Sequence, residues 1–222
     1  MAIEVIPAPI SESARTRLLD ASLRIIREKG YAATSVDELC AAAGVTKGAF
    51  FHHFRSKEAL AVAAAAHWSA VTGALFAAAA YHDHADPLDR VLGYIDFRAA
   101  LLDGPVESFT CLVGTMVQET FGANEAIRAA CEASIFGHAA TLEADIAAAM
   151  ALHGVDREVT AASLAIHTQA VLQGAFILAK AKGGPDVARD SVAHLKRYFR
   201  FLFQTPGDGR DRGDDQVERR GA

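Results

Sequence analysis

The stretch TSVDELCAAAGVTKGAFFHHF, residues 34–54, limits the possible folds more than any other part of the chain. Ser35 and Glu38 stand at the spacing of a capping box, in which each side chain satisfies a backbone donor at a helix start. Val36, Leu39, Cys40 and Ala43 then follow the i, i+3, i+4, i+7 pattern of one buried helical face. Gly44 ends that helix, and Thr46 caps another that runs to about Phe54. Upstream, Ser11 or Ser13 can cap a first helix whose Leu19, Leu23 and Ile26 share a side and whose exit is Lys29-Gly30. Three helices with a tight glycine turn before the third make a helix-turn-helix layout.

The third helix has two faces. Phe50 and Phe54 fall on one side and pack on the first two helices near Leu39 and Val45. Lys47, Gly48, Phe51 and His52 point outward. Glycine inside a helix costs about 1 kcal/mol relative to alanine, a loss that brings a gain only where something approaches the backbone closely. A DNA phosphate or base edge is such a thing. Thr46 with the helix amides, Lys47 and Lys57 can meet phosphates, as can Thr34 and Ser35. His52 and His53 can donate to phosphates or bases, and Phe51 can press on a thymine methyl. The competing reading is a structural helical hairpin whose rings are covered by the rest of the protein. The combination of capping box, tight turn and outward Lys-Gly favours DNA.

Composition supports an all-α chain: 222 residues, half of them hydrophobic, with abundant alanine and six prolines. The net charge is −5, yet residues 1–60 carry +1 and residues 61–222 carry −6, so a local basic edge can still meet phosphate. Cys40, Cys111 and Cys131 form no C-x-x-C pair, which fits reduced thiols in a cytosolic protein. The first ten residues lack the basic and apolar blocks of a secretory signal and read as a loose arm. Residues 60–81 have no Asp, Glu, Lys or Arg and are long enough to span a bilayer. Their alanine content and His67 fit a closely packed helix instead.

Further along, Ser56 can cap a fourth helix, and residues 81–87 read as a loop. Helices are expected over 88–102, 105–121, 124–154, 157–182 and 186–204, followed by a polar, glycine-rich tail that cannot order itself. No strand or internal repeat is evident.

Residues 15–60, through ATSVDELCAAAGVTKGAFFHHFRSKEAL and the Gly30-Tyr31 helix exit, resemble the DNA-binding domain of the tetracycline-repressor-like (TetR/AcrR) family of transcriptional regulators. The resemblance implies a homodimer that binds a near-palindromic operator and is released by a small organic molecule, with no cofactor and no catalytic residues. It gives residues 11–56 to the DNA-binding domain and 57–204 to effector binding and dimerisation, leaving 1–10 and 205–222 as disordered ends. By motif position, Thr34, Ser35, Thr46, Lys47, Gly48, His52, His53 and Lys57 inherit DNA contacts. Phe51 stands where the family commonly has Tyr, so that hydroxyl's phosphate contact is lost and ring packing remains.

The resemblance also implies that the last two helices pair with those of a second subunit. Leu164, Val171, Leu172, Ala175 and Phe176, with Gly174 beside them, form one apolar band, and Val192, Leu195, Phe199 and Leu202 form another. Each helix can equally bury its band internally. Reading two half-sites requires recognition helices about 34 Å apart, which favours a symmetric dimer. An effector pocket is expected within residues 61–180, lined by His67, Trp68, Phe97, Cys111, Met116, Gln118, Phe121, Phe136, His138 and His167. Repression is the expected mode, with activation by the same fold as an alternative. The HDHAD segment, carrying His82 and His84, leaves a metal-responsive regulator as another. An enzyme would need Cys111 beside His138 or His167, and no spacing places them together.

Overall fold

The computed structural model describes residues 13–155 and 158–203, and the described residues form α-helices and one 3-10 turn with no strand. The first four helices are α1 (Ala14–Lys29), α2 (Val36–Ala43), α3 (Lys47–His53) and α4 (Lys57–Ala77). After the 3-10 turn Ala80–Asp83 come α5 (Pro87–Ala100), α6 (Val106–Phe109), α7 (Leu112–Thr120), α8 (Glu125–Ala140), α9 (Glu143–His153), α10 (Ala161–Lys182) and α11 (Asp186–Leu202). The arm 1–10, the Ser11 cap and the tail 205–222 lie outside the described residues.

Side-chain caps set the starts of the first four helices. Ser13 accepts from the Thr16 N–H, Thr46 from Ala49 and Ser56 from Ala59. Ser35 accepts from Glu38 while the Glu38 carboxylate accepts from the Ser35 N–H, completing the capping box. Each cap occupies a donor that the helix cannot satisfy itself and contributes about 1 kcal/mol. Gly44 sits at φ 61°, the left-handed conformation that turns the chain from α2 into α3. Leu18, Leu23, Ile26, Leu39 and Phe50 fill the space between these helices. Phe54 packs beside Phe50 with the rings tilted 49° and their centres 5.8 Å apart, one residue past the end of α3.

This small core does not close on itself. Leu60, Ala61, Ala64 and Ala65 of α4 complete it, with Leu112, Val113 and Met116 from α7 and Ile127 and Cys131 from α8. Hydrophobic packing therefore runs straight through residue 56. A second core gathers Tyr94, Ile95, Ile146, Leu172, Val192 and Phe199 from α5, α9, α10 and α11. α4 serves both: its first half lies in the small core and Phe76 in the large one.

Two long helices expected from the sequence are broken. The span 105–121 is interrupted at Thr110, whose backbone is extended, and restarts where the Cys111 sulfur accepts from the Gly114 N–H. The span 124–154 breaks at Thr141 and Leu142: Leu142 turns into the core, and α9 packs on α5 with Arg90 Nε 2.7 Å from Asp145 Oδ1. Alanine favours helix equally on both sides of such a break, so tertiary burial rather than propensity decides it. The 81–87 loop begins inside the 3-10 turn, which buries Tyr81.

The spans Lys57–Ala77, Glu125–His153 and Ala161–Lys182 are long and apolar enough to cross a membrane by length and composition. In this fold their alanines let helices approach closely, as at Ala64 and Ala65 in one core and Ala165 and Ala175 in the other.

Candidate nucleic-acid interface and internal cavity

α3 turns Phe50 inward and leaves Lys47, Gly48, Phe51 and His52 in solvent, as helical spacing predicts. Phe51 is 50% exposed and sets its edge on Phe50 at 5.2 Å. The His52 and His53 rings meet edge-on at 4.9 Å, with His53 half-buried. Thr46 is exposed, its oxygen held as the cap of α3. Lys47 Nζ lies 2.9 Å from Asp37 Oδ1 in an open ion pair. Such a pair contributes little in water, so Lys47 can exchange Asp37 for a phosphate at small cost. A Cβ built on Gly48 would meet only Thr46 Oγ1, at 3.8 Å. Nothing inside the protein requires glycine there.

Three residues given DNA-contact roles by motif position have other partners. Thr34 is buried and donates to the Gly30 carbonyl at 2.7 Å. Ser35 is committed to its capping box. Lys57 Nζ donates to the carbonyls of Tyr31 and Thr34 at 3.1 and 3.0 Å and sits 4.4 Å from the Tyr31 ring centre. Lys57 thus ties α4 to the loop between α1 and α2 in the DNA-free chain. The opposite side of that loop is held by Glu119 of α7, whose carboxylate accepts from the N–H groups of Tyr31 and Ala32 at 3.0 and 2.7 Å. Gly30, at φ 94°, permits this approach, since a Cβ there would stand 2.5 Å from Glu119 Oε1. Glu119 carries no local sequence signal for this role, being 88 residues from Tyr31.

A second tie is deeper. Arg27 is 3% exposed; its Nε donates to Leu23 O at 2.7 Å and its Nη1 to Ser108 O at 3.1 Å. Its guanidinium lies 5.1 Å from the Trp68 ring centre. Burial pulls its pKa down to about 10, which still leaves it charged near neutral pH.

Trp68 and Ser108 belong to a cavity of about 200 Å³ walled by α4, α5, α6, α8 and α10. Trp68, Phe76, Phe109 and Phe176 give it aromatic walls, and Ser69, Thr72, Ser134, Gln169 and Gln173 give polar points. One end is closed by a network. Arg98 Nε donates to Tyr94 Oη at 2.9 Å, Arg98 Nη2 to His138 Nε2 at 2.9 Å, and Gln169 Nε2 to Tyr94 Oη at 3.2 Å. Tyr94 Oη in turn lies 3.0 Å from His138 Nε2, to which it donates. Burial, with the Arg98 charge second, pushes the His138 pKa down to about 3, so the ring is neutral and Nε2 accepts.

Of the expected lining residues, Trp68, Cys111 and His138 face this cavity and the others do not. His67 is paired with Asp20 at 2.7 Å. Phe97 sets its edge on Phe76 at 5.3 Å outside the lining. Met116 is fully buried in the small core. Gln118 is on the surface of α7 and donates to Gly114 O. Phe121 and Phe136 are 70% and 52% exposed. His167 is exposed against the Tyr198 ring at 5.2 Å. Residue type suggested these positions, but the packing of each helix against its neighbours decides which way each points. Arg98, Gln169 and Gln173 were missed. The Tyr94–Arg98 pair, at i, i+4 on one side of α5, was the available signal.

The dimer bands also need correction. Leu164, Leu172, Ala175, Phe176, Leu195 and Phe199 are buried in the chain's own core, with Val171 and Leu202 packed against it. The outer face of α10 and α11 instead exposes Ile166, Ile177, Leu178, Tyr198 and Phe201, the last by 76%. A helix with two apolar faces gives one pattern for both, and packing alone tells them apart.

The His82/His84 loop does not gather metal ligands. His82 Nε2 is bonded to Phe76 O at 3.1 Å, and among the described residues no group of three or more His, Cys, Asp or Glu is placed to hold a metal ion. Cys111 caps α7 while His138 Nε2 serves Arg98 and Tyr94, so these two form no nucleophile–base pair.

Residues 18–64 match the model of bacterial regulatory proteins of the tetR family, and residues 87–189 match that of the LmrA/YxaF-like transcriptional regulator C-terminal domain. The uncharacterized HTH-type transcriptional regulator YerO of Bacillus subtilis is 44% identical over 50 residues, 22% of this chain and 17% of that protein. The transcriptional regulator AcuR of Cereibacter sphaeroides is 46% identical over 50 residues, 22% of this chain and 23% of that protein. The matched stretch thus spans about a fifth of the length of these relatives. A TetR transcriptional regulator from Chloroflexus aurantiacus superimposes with a TM-score of 0.73 at 25% identity, covering 84% of this chain and 94% of that one. The reduced form of Escherichia coli NemR shares the fold with a TM-score of 0.72 at 24% identity, over 84% and 96%. With residues 18–64 and 87–189 both matched by models of this family, the chain belongs to the TetR/AcrR family of transcriptional regulators and carries a helix-turn-helix DNA-binding domain at its N-terminal end.

Proposed function

We propose that the protein is a cytoplasmic repressor, binding a near-palindromic operator as a homodimer and released by a small organic molecule held in the cavity. The observation that carries this reading is the continuity of α4. Leu60, Ala61, Ala64 and Ala65 anchor it in the core beneath the recognition helix, and Trp68, Ser69, Thr72 and Phe76 of the same rod wall the cavity. Residues 11–56 act as the DNA-binding head, and residues 57–204 serve effector binding and dimerisation.

On DNA, α3 enters the major groove. Lys47 and Thr46 meet phosphates, His52 and His53 reach phosphates or base edges, Gly48 lets the backbone close in, and Phe51 packs on a thymine methyl. The outer face of α10 and α11, with Ile177 and Phe201, pairs with its copy and sets the heads about one turn of DNA, roughly 34 Å, apart. A ligand that fits better when α4 is tilted shifts the head spacing and releases the operator. The shift can be no larger than its difference in affinity for the two states.

A gel-shift assay with the DNA upstream of the protein's own gene, with and without candidate metabolites, tests this directly. Indifference to that duplex at low ionic strength would overturn the DNA-binding assignment. Transcription from the same promoter separates repression from activation.

A further inference from the structure

The cavity carries one cation and no acid. Its lining includes Arg98 but no Asp or Glu, and among the described residues Arg98 enters no salt bridge. Its neighbours are Tyr94, His138 and the Phe76 ring, 4.3 Å from the guanidinium carbon. The network fixes the guanidinium plane through Nε and one Nη2 hydrogen. The remaining Nη hydrogens have no acceptor among the described residues. Tyr94 cannot add one, because its oxygen already accepts from Arg98 and Gln169 and donates to His138. His138 cannot either, its one accepting nitrogen being engaged. A partly buried guanidinium with free donors and no counter-charge is the arrangement that a carboxylate completes, by two parallel charge-assisted hydrogen bonds.

Size and walls narrow the class. An engineered apolar cavity of about 150 Å³ binds benzene; one of about 200 Å³ accommodates a single ring with a short substituent. Trp68, Phe109 and Phe176 offer flat apolar surface for that ring.

We infer that the cavity takes a monocyclic aromatic carboxylic acid, ring between Trp68, Phe109 and Phe176 and carboxylate on Arg98. This rests on the reading of the cavity as the effector site and names the chemical class that fills it. A neutral amide of the same shape places an NH2 donor against the guanidinium and loses the charge. An amine of that shape meets a like charge.

The test is calorimetric titration of the full-length protein with 3-phenylpropanoate and with 3-phenylpropanamide at neutral pH. The expected result is one acid per chain, with the amide bound about tenfold to a hundredfold more weakly, the worth of a charged hydrogen bond. Arg98→Met should bring the acid down to the level of the amide, and Arg98→Lys should keep part of the preference. Equal binding of acid and amide by the unaltered protein, or no binding of the acid, overturns the inference without any variant. So does an acid preference that survives in folded Arg98→Met. Acid binding that depends on Arg98 but leaves the operator complex intact upholds the ligand class and sinks the release mechanism instead.

Discussion

Arg27 Nη1, on the first helix of the DNA-binding head, donates to the main-chain oxygen of Ser108 at the cavity wall, 81 residues away, at 3.1 Å. The same guanidinium covers the Trp68 ring, so a buried charge joins the head to two lining residues at once. Arg27→Met keeps the bulk and removes both bonds, leaving the carbonyls of Leu23 and Ser108 without this donor. The expected loss is about 2 kcal/mol of stability, read as a lower midpoint in denaturant unfolding. DNA binding by the folded fraction should persist while release by ligand weakens. Release at the unaltered ligand concentration would show that the coupling runs elsewhere.

Lys47 has Asp37 as its partner in the free protein, at 2.9 Å. Lys47→Ala should weaken binding to every duplex and reduce the slope of log affinity against log salt by about 1. Asp37→Asn should act oppositely, since it frees Lys47 and removes a negative charge beside the phosphates. Anisotropy titrations over a salt series measure both. Identical slopes for all three proteins would remove Lys47 from the interface.

Gly48→Ala separates stability from function. The added methyl makes only an ordinary contact with Thr46 Oγ1 at 3.8 Å and the helix gains about 1 kcal/mol, so the thermal midpoint should rise. Operator affinity should fall, because the same methyl stands between backbone and DNA. A variant that is more stable and binds equally well would leave the glycine unexplained by close approach.

The helix-turn-helix was legible because its signals are local. The Ser35–Glu38 capping box, the Gly44 turn and the Phe50/Phe51 division of faces each lie within a few residues and need no distant partner to be read. The rest depended on contacts across the chain. Nothing near Lys57 announces that its ammonium is spent on the Tyr31 and Thr34 carbonyls, and nothing near Glu119 points to the amides of Tyr31 and Ala32. In the larger part, alanine-rich helices present apolar residues on several sides. Periodicity therefore marked Leu172 and Phe199 as apolar but could not say that the core takes them and leaves Phe201 outside. The cavity was legible in kind, as aromatic walls with polar points, and misplaced in detail because contacts across the chain, such as His67 with Asp20 and His167 with Tyr198, decide where each side chain goes.

Phe201 tests the assembly. It is 76% exposed on the outer face of α11, so Phe201→Asp should leave the core intact and the thermal midpoint of the subunit little changed. Sedimentation at micromolar concentration should show the variant as a monomer, and its operator affinity should drop with the loss of the second head. Leu172→Asp, by contrast, places a charge in the chain's own core and should prevent folding. A dimeric Phe201→Asp protein would move the interface to another surface.

His138 makes stability depend on pH in a defined window. Its pKa falls from the ordinary 6.5 to about 3, first through burial and second through the Arg98 charge. Between those values the unfolded chain binds a proton that the folded chain does not, so stability rises with pH from about 3 to about 6.5 and gains nothing more from this group above that. The steepest slope from one such group is about 1.4 kcal/mol per pH unit. Denaturant unfolding at about pH 5 and pH 7.5 should show a smaller loss on acidification in His138→Gln than in the unaltered protein, whatever the offset between them. Carboxylates held low, such as Glu38 beside Lys29 and Ser35, contribute equally to both proteins and cancel in the comparison. Because burial is the larger cause, Arg98→Met should retain most of the slope, and parallel curves for the unaltered protein and His138→Gln would mean that His138 is charged in the folded chain.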